Sequence, residues 1–329
     1  MDDPVSVTSL LLLARALYLG SGMVLVNATV FRWLILAPIL ATEPGDASLL
    51  RFQRRLHGTF LVSVALLFIA AVFWFWATAA DMGGTSLDEA LDYETWSPVL
   101  FQTRFGLVCE IRLGLFALLA ALAWNYCRAI VSPHRPPRAI EAFISLVAAA
   151  LLASVAWTGH AGAATGTAFP WTLIADSLHL LAGTVWPAGL LFFSWILSSC
   201  LAREAPAAAP LAVAIARRFS AVSLIAVIVL ALTGTVEACF IVRSFGALVT
   251  TLYGRVLCIK LAVFTAMLAL AAWNRFRLLP RLNLGNNETE STRSTLILRQ
   301  LRRFVRIEWA LAAGIIAIVA LLGTLAPPR

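Results

Sequence analysis

Eight apolar runs, each near the length a helix needs to cross a bilayer, leave this chain little choice of fold. About 20 apolar residues span the hydrocarbon core. Inside lipid every backbone N–H and C=O must be paired within the protein, which a helix achieves by itself. The runs extend approximately from Leu10 to Leu40, Phe60 to Ala80, Phe105 to Tyr126, Ala139 to Trp157, Trp171 to Cys200, Phe219 to Cys239, Gly254 to Trp273 and Val305 to Leu325. The first and fifth are long enough to tilt or break. Composition agrees: only 13% of the residues are charged and 61% are hydrophobic, where soluble domains carry about 25% charged residues. The expected fold is all-α, a polytopic membrane bundle of eight transmembrane helices.

The basic residues set the orientation. Of 25 basic residues, Lys260 alone is a lysine. Arginines crowd the connections after spans one (Arg51, Arg54, Arg55), three (Arg128, Arg135, Arg138), five (Arg203, Arg217, Arg218) and seven (Arg275 to Arg306). The connection after span two is acidic (Asp81, Asp88, Glu89, Asp92, Glu94). Cytoplasmic loops are the arginine-rich ones, so both termini are expected on the periplasmic side. The net charge of +8 is thus a topology signal distributed between spans, not a nucleic-acid patch. The start is acidic and lacks a basic n-region, so it does not read as a signal peptide.

The two halves resemble each other. Thr103-Arg-Phe-Gly-Leu-Val-Cys-Glu-Ile-Arg112 in span three matches Thr251-Leu-Tyr-Gly-Arg-Val-Leu-Cys-Ile-Lys260 in span seven, with one residue inserted before the tryptophan–asparagine pair that ends span seven. Trp124-Asn125 matches Trp273-Asn274, Arg54-Arg55 matches Arg217-Arg218, and Ile140-Glu141 matches Ile307-Glu308. This predicts a 4+4 tandem repeat with a pseudo-twofold axis along the membrane normal. By position the chain divides into residues 1–138, with spans one to three and the following loop, and residues 139–329, with spans four to eight, in a single membrane domain.

Ionisable residues inside spans are costly and mark candidate sites: here Arg15, Arg32, Glu110, Arg112, Asp176, His179, Glu237, Lys260 and Glu308. Pairs such as Glu237 with Lys260 can equally be architectural. Of the four histidines, His134 lies in a proline-rich loop and His57 at the cytoplasmic end of span two. His160 closes span four on the outer side. His179 sits in span five about two turns below the loop, on the order of 10 Å. Asp176 and His179 are three residues apart and share a helix face, continued by Gly183 and Trp186. Imidazole suits copper, zinc, iron or nickel, and sulfur ligands favour Cu(I). Cys109, Cys239 and Cys258 fall in outward halves of their spans, Met23 lies mid-span and Met82 follows span two. The five cysteines show no CxxC pattern, so neither a zinc module nor a disulfide scaffold is indicated. The histidines can serve as metal ligands or as helix-packing groups.

Trp157-Thr-Gly-His160-Ala, then Asp176-Ser-Leu-His179 with Trp186 and Gly189, resembles the copper resistance protein D (CopD) family. So do Thr251-Leu-Tyr-Gly254 through Lys260, Trp273-Asn274-Arg with Pro280, and Arg306-Ile-Glu308 with Thr324-Leu-Ala-Pro327. The resemblance is most specific over residues 155–329. It implies a non-enzymatic inner-membrane protein that moves copper from periplasm to cytoplasm, beside a periplasmic carrier of the CopC type, here a separate chain. On it, His160 and His179 with Asp176 become the copper-site candidates; by residue type alone, Met23, Met82, Cys109 and Cys258 read either as a path of softer ligands or as packed and lipid-facing filler. One departure is Trp186-Pro-Ala-Gly189-Leu where the family carries a Trp-x-Gly-Gly-Leu type run; Pro187 predicts a kink in span five. No Walker motif is present, so transport would draw on a gradient, the membrane potential or cytoplasmic capture. A haem-binding membrane redox protein is the rival reading, because histidines in membrane bundles serve as axial ligands of haem.

Overall fold

The computed structural model describes residues 4–42, 47–131, 138–158, 168–201, 208–241, 245–282 and 288–325. Among the described residues, eight helices are long and apolar enough to cross a bilayer: Val7–Ile39, Arg51–Gly83, Arg104–Arg128, Ala139–Thr158, Pro170–Leu201, Pro210–Phe240, Leu252–Arg281 and Arg293–Leu322. They are spans one to eight below. The count agrees with the sequence, but the helices around spans two, six and eight begin at Ala47, Ala208 and Glu288, well before the apolar runs. At spans two and eight the added turns carry arginines, which are good helix formers and carry their charge toward water on a long stem; at span six the added turns are mostly apolar, with Leu211, Val213 and Ile215 buried in the core.

Span one is the hub, packing against spans two, four, five and eight. Two apolar cores meet on it. One unites Tyr18, Leu25, Leu67, Trp74, Leu119, Leu151 and Leu152 from the first four spans. The other joins Phe31 and Leu36 of span one to Phe192, Ile215, Met267, Leu301 and their neighbours in the last four. Phe31 lies 5.8 Å from Phe192 and 6.2 Å from Phe219, ring centre to ring centre. Large apolar side chains such as Leu146, Ile225 and Leu232 stay exposed on the outside, as lipid requires.

Spans one and five are both interrupted. Span one widens into a π turn at Arg32–Leu36. Span five breaks between a helix ending at Val185 and another starting at Gly189. Pro187 has no N–H and cannot continue the ladder. The Ala188 N–H bonds Gly183 O (3.3 Å) instead of closing a normal turn, which frees the Thr184 carbonyl. The Asn27 amide of span one donates to that carbonyl, and reaches Val185 O at 3.3 Å. Gly189 makes room: a Cβ there would lie 2.8 Å from the Phe219 ring and 3.3 Å from Asn27 Nδ2. The kink expected at Pro187 is therefore a break, sealed by a polar residue of the neighbouring span.

Two corners are built alike. A short helix, Tyr93–Gln102, precedes span three, and another, Phe245–Thr250, precedes span seven. Thr103 accepts from Gly106 N (2.9 Å) and donates to Val99 O (2.5 Å). Thr251 accepts from Gly254 N (3.0 Å) and donates to Ala247 O (2.7 Å). Each threonine caps its span, and the glycine three residues on lets the short helix fold tightly back.

Candidate functional site

The described site lies inside the arginine-poor end of the bundle. His179 points from span five to span six, with Nδ1 2.9 Å from Thr233 Oγ1. The Thr233 hydroxyl has one proton, and it donates that proton to Val229 O at 2.7 Å, one turn back on its own helix. Toward His179 it can only accept. With the hydroxyl proton on Val229 O, the Thr233 contact assigns the imidazole proton to Nδ1 and leaves the lone pair on Nε2. Gly234 is what lets the ring lie flat on span six, since a Cβ there would sit 3.1 Å from His179 Cε1.

Carboxylates and cations surround this ring. Glu237, one turn beyond Thr233, places Oε1 3.9 Å from His179 Nδ1, and among the described residues that oxygen is buried without a hydrogen bond. The charge of Lys260, from span seven, reaches His179, Asp176 and Glu237. Arg15, from span one, is the second cation acting on Asp176. It also lies 5.0 Å over the Trp74 ring. Tyr253 feels both carboxylates. Spans one, five, six and seven thus converge on one polar cluster.

Asp176 and His179 do share a face, but they address different partners. Asp176 interacts with Lys260 and Arg15, while Thr233 and Glu237 of span six orient the imidazole. The sequence signal for this was present but unread: Thr233 and Glu237 are four residues apart and so lie on one helix face. Met23 lines the same region, its Cε 3.3 Å from where a Cβ on Gly183 would be, one turn along from His179.

The other candidates lie elsewhere. Cys109 is half-buried beside Arg112. Arg112 itself is 3% exposed, donates to Ser154 Oγ at 2.8 Å, and lies 4.9 Å and 4.6 Å over the Tyr18 and Trp74 rings. Cys258 is exposed, with Sγ 4.0 Å from Leu248 O. Met82 is exposed beyond the apolar part of span two. His160 and His134 lie outside the described residues. His57 stands at the opposite end, its ring 5.5 Å from Tyr126. Among the described residues no group of three or more His, Cys, Asp or Glu is placed to hold a metal ion.

At that opposite end Glu141 is ion-paired to Arg32 at 2.6 Å and accepts from Trp33 Nε1 at 2.9 Å. Its sequence counterpart Glu308 instead accepts from Asn274 Nδ2 at 2.5 Å.

Eight apolar helices holding an imidazole, carboxylates and cations in their interior define a multi-pass membrane protein with an internal polar site. The chain belongs to the copper resistance protein D family. The family model "Copper resistance protein D-like, N-terminal domain" matches residues 1–171, and "Copper resistance protein D" matches residues 213–322. The chain is 27% identical to Copper resistance protein D of Pseudomonas syringae pv. tomato, over 99% of this chain and 98% of that one. It is 27% identical to Inner membrane protein YebZ of Escherichia coli (strain K12), over 76% and 78% of the two chains. With Copper transport protein CutJ of Bacillus subtilis (strain 168) it shares 30% identity, over 70% of this chain and 38% of the relative. No solved structure matches it.

Proposed function

We propose that this multi-pass inner-membrane protein carries copper from periplasm to cytoplasm, receiving the ion at the arginine-poor end through His179. Its family membership gives it a role in copper handling; direction, ligands and route are our reading. One observation carries it: Thr233 holds His179 Nδ1 as a donor, leaving Nε2 as a coordinating nitrogen within a polar cluster of four spans. Metal-binding histidines are commonly fixed in this way through their second nitrogen. The His160 motif supplies a second imidazole candidate, Asp176 and Glu237 supply oxygen donors one turn nearer the arginine-poor end, and Met23 supplies a sulfur donor deeper in. A carrier of the CopC type, as a separate periplasmic chain, would deliver the ion. The interaction of Lys260 with the carboxylates keeps the empty cluster near charge balance, and a bound cation would displace that interaction. We also read the paired corners at Thr103 and Thr251 as products of a tandem duplication, with both termini periplasmic.

The test is copper accumulation in cells expressing the wild type, H179A and H160A at equal membrane levels. Lower accumulation in both variants is expected. Accumulation unchanged from wild type in both would overturn the site.

A further inference from the structure

We infer that Glu308 is a proton-binding site in the middle of span eight, held as the neutral acid in a side-by-side pair with Asn274. Glu308 is 2% exposed, and among the described residues it makes no ion pair. A carboxylate buried without a counter-ion is strongly disfavoured. Asn274 Nδ2 donates to Glu308 Oε1 at 2.5 Å, while Asn274 Oδ1 is buried and has no partner among the described residues. A protonated Glu308 supplies the missing donor, since an acid and an amide are complementary, each giving one hydrogen bond and taking one. Exchanging the amide's oxygen and nitrogen strengthens the case. Two oxygens would then face each other at 2.5 Å, a contact that only a shared proton holds.

The charged groups on the packed elements are committed elsewhere or distant. At the arginine-rich end of span seven, Arg275 donates to Ser220 at 2.7 Å and Arg277 lies 5.9 Å over Trp273. Lys260, Cys258, Arg255 and Tyr253 are at the far end of that span, about 20 to 30 Å away at 1.5 Å per residue. On span eight, Arg306 reaches Ser198 at 3.5 Å, and Arg302 and Arg303 lie further toward the arginine-rich end. From span six, Arg218 donates to Leu34 O, and Arg217 is exposed. From span one, Arg15 sits beside Gly323 at the other end of span eight, and Arg32 pairs with Glu141. Span five contributes the buried Cys200. The sequence counterparts thus differ in kind: Glu141 is an anion with its arginine, and Glu308 is an acid with its amide.

Infrared difference spectroscopy of the purified full chain reads this directly. At neutral pH the wild type minus E308Q spectrum is expected to show the C=O stretch of a protonated carboxyl group, and the wild type minus E141Q spectrum none. Glutamine restores a complementary amide pair, so E308Q is expected to melt with the wild type. A folded E308Q that removes no such band would overturn the inference. Should E308Q fail to fold, N274A carries the test: the acid band moves to the position of a free acid, and a band that stays in place or is absent contradicts the pairing. The result does not depend on what the protein transports, so its failure is separable from failure of the copper reading.

Discussion

His179 Nδ1 lies 2.9 Å from a Thr233 hydroxyl whose own proton goes to Val229 O, 2.7 Å away. The direction of the second bond decides that of the first, and with it which ring nitrogen can meet a metal ion. Replacing Thr233 with valine keeps the shape of span six and removes the acceptor. T233V is expected to lower copper affinity about 10–100-fold, the range for loss of a group that orients a ligating histidine. Copper titration of the purified protein measures it, and wild-type affinity in T233V would separate the hydroxyl from metal binding.

Gly234 supports the same ring from behind. A Cβ there lies 3.1 Å from His179 Cε1, so G234V forces the imidazole off span six while the apolar character of the helix is kept. Copper affinity is expected to fall in G234V with the melting temperature changed less than in a core truncation. Loss of folding with copper affinity intact per folded molecule would contradict it.

Much of this protein was legible in its sequence, because lipid imposes a rule that composition reveals. Eight apolar runs became eight spans, and Pro187 marked the real interruption of span five. Helix ends were harder. The arginines before spans two and eight read as loop, yet arginine extends a helix and carries its own charge to water. The candidate site was half legible. Asp176 and His179 stood out as ionisable groups in an apolar run, but their partners come from other spans. Periodicity within one helix does not tell which neighbour a face meets. Thr233 is an ordinary threonine until the packing puts it against an imidazole, and Asn27 is unremarkable until Pro187 frees a carbonyl beside it.

Asn27 closes that break. Its amide serves Thr184 O and Val185 O, carbonyls that lipid cannot satisfy. N27L is expected to destabilise the protein by about 1–3 kcal/mol, the cost of an unsatisfied buried polar group. Thermal melting in detergent checks this. A melting temperature equal to wild type would mean that the carbonyls find another donor.

The corners at Gly106 and Gly254 make a paired test. An added Cβ would sit 1.9 Å from Leu100 O in the first and 2.3 Å from Ala247 O in the second. Neither oxygen can retreat without moving its short helix. G106A and G254A are each expected to cost about 1–3 kcal/mol, as overpacking does. The cap variants T103A and T251A are expected to cost about 1 kcal/mol. Alanine variants that melt with the wild type would contradict the tight packing of the two corners.

The most direct measurement of the central claim is metal analysis of the purified protein, loaded with copper and washed, as wild type and as the H160A/H179A double variant. The account predicts copper retained by the wild type and lost from the double variant, with both proteins folded. Copper retained equally by both would contradict it and move the site away from spans four and five.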